Sequence, residues 1–126
     1  MSYLVMTTNS GTGPVDTDTL VITDPIPANL AFRVIDFDGV TSGPVQFVDG
    51  APVSGLTYSF VALGDAGDDV SFSNDGGATF TYSPTADANG VDLTVTHIRI
   101  NPKADFLGNT GSGDPSFEVY FKAIVQ

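Results

Sequence analysis

The stretch "SFEVYFKAIV", Ser116 to Val125, decides the fold class of this chain. Phe117, Val119, Phe121, Ala123 and Val125 alternate with Ser116, Glu118, Tyr120 and Lys122. A period of two belongs to a strand with one buried and one wetter face.

Similar pieces lie on the N-terminal side of it. The pattern predicts strands over Tyr3–Thr8, Thr19–Thr23, Leu30–Ile35, Val45–Val48, Leu56–Leu63, Val70–Ser73, Ala78–Ser83 and Leu93–Ile100. Within Leu56–Leu63, Leu56, Tyr58 and Phe60 alternate with Thr57 and Ser59. Within Leu93–Ile100 the phase changes: Leu93 and Val95 share one face, Ile98 and Ile100 the other. That predicts a bulge near Thr96-His97 or a strand buried on both sides. The chain's 14 Gly and 8 Pro are scattered so evenly that no long window is free of helix breakers. Short strands between turn clusters predict an all-β fold: an antiparallel Greek-key β-sandwich, immunoglobulin-like, of seven to nine strands. A closed barrel is the competing architecture. The Trp and Cys hallmarks of immunoglobulin domains are absent from the sequence.

With 126 residues the chain reads as one domain, residues 1–126. A globule of this length buries roughly two-thirds of its unfolded surface, enough for a core without staples. Lacking cysteine, it has no disulfide, thiolate metal site or cysteine nucleophile. Four basic residues face fifteen acidic ones, for a net charge of -11. Nucleic acid and anionic lipid would be repelled, so neither is an expected partner. Glu118 is the single Glu; the other acids are Asp, which favours turns over helices. No stretch approaches the ~20 apolar residues of a membrane helix, and no basic segment leads into an apolar run at the start. Tyr3–Met6 reads as a strand that begins abruptly, as in a fragment of a longer chain.

"VITDPIPANLAF", Val21 to Phe32, holds a stiff corner. Each proline fixes φ near −65° and withholds an N–H, and each pushes its predecessor into extended geometry. Asp24–Pro27 therefore belongs at a sheet edge or at a crossing between sheets. The Asp24 carboxylate is expected to accept backbone N–H groups there, a structural role rather than a catalytic one.

The opening "YLVMTTNSGTGPVDTDTLVITDPIPANLAF" resembles a bacterial cell-surface repeat family known as domain of unknown function eleven. Tyr3, Thr8, Asn9, Gly11, Val21, Thr23, Asp24, Pro25, Pro27 and Phe32 fit its pattern, which covers about a quarter of the chain. "VSFSNDGGATFTYSP", "VTHIRINPKADF" and "SFEVYFKAIVQ" are similar to one bacterial branch more loosely. The resemblance implies an immunoglobulin-like sandwich in large exported or surface-anchored proteins, often in tandem, and no catalytic residues. The segment that precedes the Tyr-led strand in the family is missing here, so an open sheet edge is expected.

Few residues carry chemistry. "SNDGGATF", Ser73 to Phe80, resembles an Asp-box hairpin. In it Asp75 would bind loop N–H groups, Gly76 and Gly77 would supply positive φ, and Phe80 would anchor the turn in the core. Calcium is the candidate cofactor. Asp36 and Asp38 in "DFDG", Asp65, Asp68 and Asp69 in "GDAGDD", and Asp16 and Asp18 in "DTDT" place oxygens in glycine-rich loops. None completes an EF-hand loop, and the competing reading is turn carboxylates. His97 is the one histidine and reads as an ordinary strand residue, with Arg99 beside it available to a carboxylate. Lys103 and Lys122 are the lysines open to an isopeptide link with Asn beside a buried acid, although Lys122 faces away from the apolar side of its strand.

The sequence thus points to a non-catalytic spacer, stalk or adhesive module of a bacterial surface or secreted protein. The alternative is a calcium-assisted module that binds carbohydrate or protein. Expected partners are neighbouring domains of the parent chain, extracellular protein or glycan, and a weak homodimer through an open edge.

Overall fold

The computed structural model describes residues 2–37 and 43–126, and every regular element among them is a strand. The strands are β1 (Ser2–Thr8), β2 (Ile22–Pro25), β3 (Leu30–Arg33), β4 (Val45–Asp49), β5 (Val70–Ser73), β6 (Val91–Asp92), β7 (His97–Ile100) and β8 (Ser116–Val125). They fall into two antiparallel sheets, of five and three strands, in a β-sandwich-like arrangement.

The alternating segment Ser116–Val125 is the hub of the larger sheet. β8 pairs with β1 from Ser2 opposite Lys122 to Thr8 opposite Ser116. It also pairs with β4 from Val45 opposite Phe121 to Asp49 opposite Phe117. Its last turn of ladder takes β3, with Leu30 opposite Val125, and β6 extends β3. Phe117, Val119, Phe121 and Ala123 are all 3% exposed or less, which confirms the buried face. Val125 departs from the expectation: at 57% exposure it lies past the end of the core.

The second sheet runs β2-β7-β5. Phe72 of β5 meets Phe32 of β3 at 5.8 Å between ring centroids, so aromatic rings join the two sheets. Phe117 stacks on Phe47 at 5.2 Å and meets Phe106 edge-on at 5.4 Å. Burying one such ring fully contributes about 1.5–3 kcal/mol.

The proline corner does what its φ restraints dictate. β2 is the margin of its sheet, Ile26 N–H reaches the Thr96 carbonyl at 2.8 Å, and Leu30 N–H closes a turn on Pro27. The chain then enters the other sheet as β3. The corner is both a sheet edge and a crossing. The Asp24 carboxylate, however, has no hydrogen-bond donor among the described residues, so it does not tie the corner.

Two expected strands are absent as ladders, and two start late: β2 begins at Ile22 instead of Thr19, and β7 at His97 instead of Leu93. In Leu56–Leu63 the amides that would pair with a neighbour are claimed by carboxylates. Ser59 N–H donates to Asp69, and Val61 and Ala62 N–H both donate to Asp68. Only Thr57 keeps a bridge, to Lys103. Side chains offering such bonds compete directly with sheet pairing. Ala78–Ser83 retains a single bridge between Tyr82 and Phe72 for the same reason, since Thr79 N–H is held by Asp75. In β7 the delay has a local cause: Asp92 accepts Thr94 N–H, a turn covers Leu93-Thr94, and pairing begins at His97. Leu93 is therefore exposed while Val95 is buried.

Candidate functional site

Strand β7 sends Arg99 to the outer face of the three-stranded sheet, where the side chain is exposed. Its Nε donates to Ser71 Oγ on β5 at 3.2 Å, and its guanidinium lies 4.5 Å above the Phe80 ring. Among the described residues the partner of this charge is an aromatic ring and no carboxylate, a contact worth about 0.5–1 kcal/mol at an exposed site. Phe80 correspondingly stays half-buried beneath Arg99 and does not join the core.

The remainder of the Asp-box hairpin forms as its residue types require. Asp75 accepts Ser73 Oγ–H at 2.6 Å, Thr79 N–H at 3.0 Å and Thr79 Oγ–H at 2.6 Å. Gly76 and Gly77 take φ of 78° and 87°, where a Cβ would be strained. The Ser73 and Thr79 bonds hold the Asp75 carboxyl down at a pKa of about 2.

Beyond Asn101 the chain builds a charged wall. Lys103 Nζ sits 2.9 Å from Asp69 Oδ1, 2.8 Å from the Asn101 carbonyl and 2.8 Å from Asn101 Oδ1. Asp69 is only 3% exposed and also accepts Ser59 N–H. Lysine, asparagine and a buried acid thus meet, the combination an isopeptide link requires. Here the lysine and the acid form an ion pair. Lys122 donates to the Phe37 carbonyl and lies over the Phe37 ring, away from the core, as expected.

These elements enclose a cleft of about 480 Å³, lined by Val21, Leu63, Phe80, Tyr82, Arg99, Asn101 and Lys103 and by the Asp65–Asp69 loop. Tyr82 O–H is fixed by Asp92 at 2.6 Å. Asp92 is desolvated by burial, but bonds from Tyr82, Thr85 and Thr94 outweigh that and hold its pKa below the usual carboxylate value. Behind the loop the Tyr58 hydroxyl is buried with no hydrogen-bond partner among the described residues. Burial, with Asp68 and Asp69 nearby, pushes that phenol well above the normal tyrosine range.

The candidate calcium ligands are distributed as follows. Asp65, Asp68 and Asp69 come together on one wall of the cleft, each engaged with amides: Asp65 with Gly67, Asp68 with Val61 and Ala62, Asp69 with Ser59. Asp36 accepts Gly43 N–H elsewhere. Asp38 lies outside the described residues. Asp18 accepts Ala104 N–H, and Thr19 Oγ–H donates to the Asp16 backbone carbonyl. Among the described residues, no three His, Asp or Glu side chains form a metal-holding group.

His97 is half-buried, with Nδ1 3.2 Å from Thr96 Oγ1. The Thr96 hydroxyl donates to the Ser73 carbonyl and accepts Gly76 N–H, so it is held as a structural group. Asp24 feels the His97 charge, yet burial prevails and raises its pKa above the ordinary value. The Lys103–Asp69 pair, the Arg99–Phe80 stack and the Tyr82–Asp92 bond escape sequence reasoning. Each joins residues that carry no mutual spacing signal. No family model, curated protein or solved structure matches this chain.

Proposed function

We propose that this is a non-catalytic structural or adhesive module, of Greek-key immunoglobulin-like topology, from a bacterial surface or secreted protein. One observation carries the reading. Asp18, Asp36, Asp49, Asp65, Asp68, Asp69, Asp75, Asp87 and Asp92 all accept backbone N–H groups. Acids used this way build loops. They let a cysteine-free chain rich in Gly and Pro hold its loops in place. The resemblance of Tyr3–Phe32 to a surface repeat family supports the setting. Among the described residues, no helix is long and apolar enough to cross a membrane.

The cleft favours a second reading, a calcium-assisted binding module for carbohydrate or protein. An aromatic ring, a guanidinium and carboxylates around about 480 Å³ can hydrogen-bond a polyhydroxylated ligand. A thermal melt in chelator and across a calcium titration separates the two. A ligand that binds only the native state raises the midpoint with the logarithm of its concentration over its affinity. An unchanged midpoint is expected for the structural module. A saturable rise that magnesium fails to reproduce would overturn it in favour of the binding module.

A further inference from the structure

Strand β1 borders the five-stranded sheet, and among the described residues it pairs only with β8. Asn9 N–H bonds the Pro115 carbonyl, in register with the β1–β8 ladder. By the alternation of antiparallel pairs, Val5 and Thr7 then direct their backbone groups at β8. Ser2, Leu4, Met6 and Thr8 direct theirs outward. The side chains of Leu4 and Met6 are also 49% and 62% exposed. This edge has none of the usual protections: "SYLVMTT" contains no proline and no charge, and its register is free of bulges.

We infer that this edge pairs with β1 of a second copy of the chain, about a two-fold axis through Val5. The register follows from the hydrogen-bonding parity. Ser2 faces Thr8 and Leu4 faces Met6 of the other copy, so all four outward residues are hydrogen-bonded. The apolar pair from each copy then forms one cluster on the outer face.

Charge selects this occupant. β1 itself carries no acid, so two copies of a chain of net charge -11 meet along it without carboxylates on the paired strands. On the β1–β8 ladder the acid is Glu118, opposite Met6, one on each copy. Three strand spacings, ~14 Å, separate them, which exceeds the ~10 Å Debye length at 0.1 M salt. A basic peptide would find no acid on the edge itself to select it.

The chain's lack of cysteine makes the test clean. Val5 of each copy would form a non-hydrogen-bonded pair with Cα atoms ~4.5 Å apart, within disulfide reach. Under mild oxidation Val5→Cys should give a covalent dimer, while Leu4→Cys, out of register with itself, should cross-link far more slowly. Sedimentation of the wild type should show a reversible rise above 13.1 kDa towards twice that mass with increasing concentration. Leu4→Lys/Met6→Lys puts like charges opposite each other and should weaken association by at least about tenfold. Mixing it with Leu4→Glu/Met6→Glu should restore a dimer made of one copy of each. A wild type that stays monomeric at all concentrations overturns the inference. So does a dimer indifferent to these charges, or capture of an added extended peptide without self-association.

Discussion

β1 runs seven residues with no proline, charge or bulge, whereas β2 runs four, carries Asp24 and ends on Pro25. Both strands border a sheet, and both are held by one neighbour. Their free sides differ in donors. The bond from Ile26 N–H to Thr96 fixes the parity of β2, so Ile22 and Asp24 face β7 while Thr23 and Pro25 face outward. Pro25 has no N–H to offer, so its missing donor falls on the solvent side, and Thr23 alone presents an outward amide. On β1 the outward amides of Ser2, Leu4, Met6 and Thr8 all remain. The corner's prolines therefore do two things at once. They turn the chain between sheets and close an edge that would otherwise template further pairing.

The largest test asks whether the two edges share one folding unit. Phe117 is fully buried between Phe47 and Phe106. Phe117→Ala should cost about 3–5 kcal/mol in urea unfolding. Amide exchange of β1 and β2 should accelerate together. Separate responses would mean that the sheets melt independently and that the edges cannot be compared as parts of one fold.

Proline substitutions test which β1 amides face β8. Val5→Pro removes a donor aimed at β8 and should cost about 3 kcal/mol or more. Met6→Pro removes an outward donor and should cost clearly less, while closing the edge as Pro25 closes its own. Equal losses from the two variants, measured by urea unfolding, would refute the assigned parity.

Asp24 gives a smaller effect of opposite sign. Burial raises its pKa in the folded state, despite the His97 charge, so the ionised form is less favourable folded than unfolded. That penalty acts above the folded pKa and fades as pH falls towards the unfolded value. Asp24→Asn should therefore raise the melting midpoint slightly at neutral pH and leave it unchanged in acid, where the wild type is already protonated. An equal shift at both pH values would trace the gain to something other than charge.

The smallest signal comes from the opposite margin of the three-stranded sheet, where the Asp-box hairpin follows β5. The depressed pKa of Asp75 means that its stabilisation is complete above the unfolded value of 3.8 and is lost as pH falls through about 2. Its carboxyl carbon should titrate by NMR at about 2, and Ser73→Ala should move that midpoint upward. A midpoint at the ordinary value in the wild type would mean that the hairpin bonds do not persist in solution.

Much of the β1 and β8 framework was legible because one face of each strand is wetter than the other. Alternation records that asymmetry directly. The corner was legible because proline acts on its own backbone, whatever surrounds it. Leu56–Leu63 was misleading for a physical reason: its alternation is genuine, but Asp68 and Asp69 claim Ser59, Val61 and Ala62 from a distance that alternation cannot register. The Asp65–Asp69 loop lines one wall of the cleft, with its carboxylates accepting backbone amides. Its wall on the cleft depended on Lys103, thirty-four residues beyond Asp69, and on Arg99 choosing Phe80 over a carboxylate. Neither choice is written into local spacing.

The antiparallel pairing of β1 with β8 has a mechanical consequence. Ser2 lies beside Lys122, so tension applied between Ser2 and Gln126 meets the ladder from one end. The bonds then bear the load one rung at a time, and β1 peels away. Tension between Ser2 and Ser116, at opposite ends of the same ladder, would load all the rungs together. One pair of strands is thus compliant along one line of pull and stiff along another.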